Sequence, residues 1–96
     1  MSHALITVNI KPSDSVWFGV AQPETAKRIR QWIKTQPGYV ASSKQRIAPH
    51  TFQSIVIFDT AENLAAFVAA MATNADIASS NAYNAQNSIT STQTQR

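Results

Sequence analysis

Between Ala4 and Ile10 the chain alternates with a period of two: Ile6, Val8 and Ile10 fall on one side, Leu5, Thr7 and Asn9 on the other. That repeat predicts a strand with two unlike faces, ended by Lys11-Pro12-Ser13-Asp14-Ser15. Val16-Trp17-Phe18-Gly19-Val20 follows, an apolar run too short to predict a helix and placed where a loop is expected. Pro23 and Glu24 open the first helix, because proline suits a first-turn position whose N–H has no partner and Glu24 complements the positive end of the helix dipole. Ala26, Ile29 and Ile33 form its apolar stripe, with Trp32 beside it, and Gln36-Pro37-Gly38 stops it.

Tyr39 to Ile47 alternates weakly and carries Lys44 and Arg46, the composition of an edge strand that must resist pairing with other chains. After Ala48-Pro49-His50-Thr51, Phe52 to Phe58 becomes apolar on both parities from Ile55 onward, so this strand is expected to be central and covered on both faces. Asp59 is expected to cap the next helix with Glu62 reaching back to it. Leu64, Phe67, Val68 and Met71 then recur at the spacing of one buried stripe. From Thr73 onward Asn, Ala, Ser, Gln and Thr dominate. Asp76 to Asn84 reads as a short third helix anchored by Ile77 and Tyr83, and Ser88 to Gln95 as a polar strand at the sheet edge or across a subunit boundary, with a disordered tail as the alternative.

Strand, helix, strand, strand, helix, strand is the β-α-β-β-α-β order of a ferredoxin-like α+β domain, a four-stranded antiparallel sheet with two main helices on one face. Strands one and three are central in that arrangement. The other face would leave Ile, Val or Phe side chains uncovered, and a chain of 96 residues has no further layer for them. A second copy covers them, so a homodimer is expected.

Length places residues 1–96 in a single domain. Cysteine is absent, which removes disulfides, thiolate nucleophiles and Cys-ligated metal sites. The net charge is +3, and Lys27, Arg28, Arg30 and Lys34 share one helix, which raises a nucleic-acid reading. They occupy the positions left when the apolar stripe is set aside and lack interleaved aromatics, so a solvated helix face is expected and no nucleic-acid partner. No segment has the length and apolarity of a membrane span, and the first residues lack a basic region followed by an apolar core. A cytoplasmic protein with no membrane partner is the expectation.

No GxSxG elbow, Walker loop, HExxH or EF-hand loop occurs. His3 lies at the N-terminal end and His50 in a turn, and the five acids mostly suit caps and turns, so neither a metal site nor a carboxylate pair is expected. What remains is a polar group among aromatics. Asn9 could orient an oxygen-bearing ligand or dioxygen, and Trp17, Phe18, Trp32, Tyr39 and Phe58 could wall a substrate pocket between sheet and helices. The competing assignment is core packing for the rings and a turn for the amide.

The stretch Pro37-Gly38, hairpin, Ile55-Val56-Ile57-Phe58-Asp59-Thr60-Ala61-Glu62 and the Leu64, Phe67 core after it resembles the antibiotic-biosynthesis-monooxygenase (ABM) family of dimeric α+β barrels. The resemblance follows the order of elements over most of residues 4 to 95. It implies either a cofactor-independent monooxygenase acting on a phenol- or enol-type substrate, or a non-catalytic binding or regulatory dimer of the same fold. Asn9 matches the first-strand Asn of the active members and would be catalytic. Phe58 stands where they carry a Trp, and no histidine follows position 50, so the haem ligation of some members is not implied and no cofactor is expected.

Overall fold

A computed structural model describes residues 3–96. In chain order these form β1 (His3–Ile10), α1 (Phe18–Ala21), α2 (Pro23–Lys34), β2 (Tyr39–Ala48), β3 (Thr51–Phe58), α3 (Ala61–Met71), α4 (Ala75–Gln86) and β4 (Thr90–Gln95). The strands make one antiparallel sheet in the order β2-β3-β1-β4. The two strands with the strongest apolar patterns are therefore central and the two polar ones are edges, as hydrogen-bonded backbone with little side-chain burial requires. This α+β arrangement fits the ferredoxin-like class. Among the described residues no helix is long and apolar enough to cross a membrane.

Register sorts the side chains onto two faces. Leu5 pairs with Val56, Thr7 with Ser54 and Asn9 with Phe52, all directed to the helices, whereas Ile6 pairs with Ile55 and Val8 with Gln53 on the opposite face. A bulge between Tyr39 and Ala41 shifts the parity of β2 by one, so that Ser42, Lys44 and Arg46 join Tyr39 on the helix side. Among the described residues the open face carries no charge within the strands, and Arg96, paired with Ala4 just past β4, stands at its corner. Ala41, Ser43 and Gln45 of β2, Gln53, Ile55 and Ile57 of β3, Ile6 and Val8 of β1 and Thr92 and Thr94 of β4 make it up.

The core lies under one end of the sheet. Leu5, Val56, Phe58, Leu64 and Phe67 are buried together, with Trp32, Ile33, Tyr39, Val68 and Met71 packed around them. Phe58 and Phe67 stack at 4.8 Å, Trp32 lies 5.7 Å from Phe67, and Tyr39 meets Phe58 edge-on at 6.5 Å.

Three details depart from the sequence expectation. The cap of α3 is Thr60, whose side chain accepts from the amide of Asn63, while Asp59 instead accepts from Asn63 Nδ2 at 2.8 Å. α3 begins at Ala61, which puts Thr60 at the cap and Asp59 one residue before it. The third helix is not short: α4 runs 12 residues, as long as α2, so the sheet carries three principal helices rather than two. Asn74 caps α4 by accepting from the amide of Ile77 at 2.9 Å, and Arg28 of α2 donates through Nε and Nη2 to Asp76, each at 3.0 Å. Those polar anchors substitute for the apolar stripe α4 lacks. Finally, the Val16–Val20 run closes into a single helical turn, with Phe18 buried against Tyr83 at 5.5 Å.

Candidate functional site

Beside the aromatic core, which it meets at Leu5, Val56 and Phe67, a half-open cavity of about 280 Å³ lies between the sheet and α1, α2 and α4. It exists because the helix-facing residues of the sheet become small and polar along β1 and β3. Leu5 and Val56 fill their end, but Thr7, Asn9 and Ser54 do not reach the helices above. Ile29 and Ile33 from α2, Ile77 from α4 and Met71 from the end of α3 give the cavity apolar walls.

Trp17, Phe18 and Gly19 close one end. Trp17 packs edge-on against Phe52 at 5.0 Å, and Lys11 Nζ lies 5.9 Å from the Trp17 ring centre. The tryptophan is thereby held over the β1–β3 pair beside Asn9, whose cross-strand partner is Phe52. Val16 and Val20 point outward and are exposed.

Polar groups come from several elements, Ser80, Asn81 and Asn84 of α4 and Ser91 and Gln93 of β4 among them. Asn9 contributes a buried Oδ1 that has no hydrogen-bond partner among the described residues. An unpaired buried acceptor is costly, and this one belongs to the cavity lining, where a ligand donor can reach it. Across the sheet, Lys44 of β2 and Arg30 of α2 also line the cavity. Lys44 is exposed as a residue, but its ammonium lies 5.0 Å from the centre of the Phe52 ring. Partial desolvation, assisted by the positive charge of Arg30, holds its pKa below the ordinary lysine value. No carboxylate lines the cavity.

Of the residues expected at a pocket, Asn9, Trp17 and Phe18 come together in this lining. Trp32, Tyr39 and Phe58 do not line it: they belong to the aromatic core at the other end of the sheet, and Phe58 is 1% exposed. The reason is the register. Phe58 pairs with His3 and Tyr39, whereas Asn9 lies six residues further along β1. The sequence alone reads Lys44 and Arg30 as edge-strand and solvated-helix charges. The signal that could have found Arg30 is its spacing, four residues after Ala26 and three before Ile33, on the flank of the stripe.

A second depression of about 400 Å³ lies between the β1–α1 connection and the end of α4, lined by Asp14, Ser15, Tyr83 and Asn87 among others. It is open and polar, and its groups are already used: Ser15 Oγ donates to the Asn87 carbonyl at 2.9 Å and Tyr83 donates to that of Val16. Among the described residues no three His, Cys, Asp or Glu side chains gather as a metal site.

No family model and no curated protein matches the chain. Among solved structures it is similar to NE2512, a protein of unknown function from Nitrosomonas europaea. The two are 16% identical, the match covers 100% of this chain and 90% of that one, and the TM-score is 0.57. At that identity the likeness carries the α+β fold alone.

Proposed function

We propose that this protein binds an aromatic small molecule in the cavity between sheet and helices, as a homodimer of the ABM-like barrel type. The observation that carries the reading is Asn9: a buried, unpaired acceptor in a cavity of mixed apolar and polar lining, capped by Trp17 and Phe18. Such a combination of apolar walls and a few placed polar atoms is how small-molecule sites are built. A cavity of about 150 Å³ accepts one benzene ring, so 280 Å³ suits one or two fused rings and is too small for a large polycyclic.

The second copy is argued from the open sheet face. Ile6, Val8, Ile10, Ile55 and Ile57 run across it among Ala, Ser, Thr and Gln, with Arg96 at one corner beside Ala4. A face whose centre is free of charge can oppose its own image across a two-fold axis without like charges meeting there. Packing two such sheets buries the isoleucines and completes the two-sided cover of β3.

Cofactor-independent oxygenation is a second reading, favoured by Lys44. A phenol or enol substrate has to lose a proton before it can pass electrons to dioxygen, and Lys44 is a titratable group with a lowered pKa at the cavity. The neutral amine would take that proton. One oxygen atom would then bond to the substrate carbon, and the other would leave as water with two substrate hydrogens.

Calorimetric titration with 2-naphthol tests the binding reading. Saturation at one molecule per chain is expected, weakened about tenfold in Asn9→Ala by loss of one hydrogen bond and further in Trp17→Ala with Phe18→Ala. Absence of saturable binding to the unmodified protein overturns it.

A further inference from the structure

Lys44 and Arg30 converge on the cavity from different elements, a strand and a helix, and close enough for the charge of Arg30 to depress the proton affinity of Lys44. Two like charges at one cavity repel, and folding has to hold them there. Arg28, two residues before Arg30 on the same helix, by contrast forms a two-pronged ion pair with Asp76. At the cavity no carboxylate is within the lining, and among the described residues neither Lys44 nor Arg30 has an acidic partner. The electrostatic deficit is of one sign.

The unpaired Oδ1 of Asn9 belongs to the same lining. Lys44 pairs with Ser54, Ser54 with Thr7, and Asn9 is one pleat beyond Thr7 on the same face. The Lys44 and Asn9 backbones are thus two strand spacings and two residues apart, roughly 12 Å of sheet, and the Lys44 ammonium leans toward Asn9, 5.0 Å from the ring of Phe52 opposite it. Ile29 and Ile33 of α2 and Ile77 of α4 line the cavity with polar Ser80, Asn81 and Asn84 of α4.

We infer that the ligand of this cavity is an aromatic carboxylate of one or two rings, its carboxylate held by Arg30 and Lys44 and a hydroxyl or amine elsewhere on the ring system donating to Asn9 Oδ1. The planar fork of a guanidinium matches the two oxygens of a carboxylate, and an ammonium beside it adds a second charge-assisted bond. The anion neutralises the repulsion that the free protein carries. The inference rests on the binding reading of the cavity. It also separates from the oxygenation reading, because a lysine kept charged by a bound carboxylate is not a base.

The probe pair is 6-hydroxy-2-naphthoate and its primary amide, 6-hydroxy-2-naphthamide, which keeps the shape and the hydroxyl but not the charge. By calorimetry the acid is expected to bind at least about tenfold more tightly than the amide, as a charge-assisted pair provides. Lys44→Met and Arg30→Met should each cut that preference severalfold, the acid losing more affinity than the amide, and Lys44→Arg should restore it. Unchanged circular dichroism and thermal midpoint show that the variants fold. Equal affinity for acid and amide, or a preference that survives in both methionine variants, overturns the carboxylate assignment and leaves the binding reading standing. If neither probe binds, the assignment fails together with the reading beneath it.

Discussion

The backbone amide of Asp59 donates to the carbonyl of Gly38 at 2.9 Å, which ties the entry of β2 to the exit of β3. The closeness depends on glycine. Gly38 has φ +79°, a conformation that side chains disfavour, and a Cβ there would collide with Asp59 Oδ1 and Asn63 Nδ2 and lie 2.8 Å from Asn63 Cβ. Gly38→Ala is therefore expected to lose at least roughly 1–3 kcal/mol by chemical denaturation, the range for a non-glycine residue forced left-handed. Combining it with Asp59→Ala should recover part of the loss, because one of the colliding groups is gone.

Phe58→Ala should cost about 3–5 kcal/mol, the range for a buried ring removed from a packed core. Phe58 is 1% exposed and contacts Tyr39 and Phe67. A loss below about 1.5 kcal/mol, as for a merely half-buried side chain, would place the ring at a ligand surface instead.

Ser88→Gly is expected to raise stability by about 1 kcal/mol. Ser88 follows the end of α4 with φ 57°, and the amide of Ile89 reaches back to the carbonyl of Asn84 at 2.9 Å. This is a left-handed helix stop with its buried apolar follower, a position where glycine is the usual occupant. The thermal midpoint should rise with no change in ligand binding.

Acid titration should show the Arg28–Asp76 pair. The hydrogen bonds and charge of Arg28 hold the Asp76 carboxyl below the ordinary carboxylate range. A depressed folded pKa means the contribution is present above the unfolded value of about 3.9 and is lost as pH falls through the folded one. Asp76→Asn should therefore flatten the dependence of stability on pH below about 3.9, with a small effect at neutral pH that salt screens further, since the pair is solvated.

Light scattering at micromolar concentration should give twice the 10.5 kDa chain mass. Ile55→Lys, which puts a charge in the middle of the open face opposite Ile6, should give a folded monomer. A monomeric unmodified protein would remove the barrel reading.

What the amino-acid sequence determined is the part governed by local period and composition. The alternation of residues 4–10, the two-sided apolar run Ile55 to Phe58 and the stripe Leu64, Phe67, Val68, Met71 are enough to set the elements, their order, and β1 and β3 as the central pair. Asn9, Trp17 and Phe18 could be singled out because a polar strand residue and an apolar loop are anomalies within such a pattern. The tertiary structure decided which anomalies meet. One extra residue at Val40 flips the parity of β2, turning Lys44 from the open face toward the helices beside Arg30, and nothing in the local composition marks that bulge. The same register carries Trp32, Tyr39 and Phe58 to the far end of the sheet and into the core. Side chains distant in sequence become a site only through strand pairing and helix docking, and those are set by the summed packing of the whole chain rather than by any one segment of it.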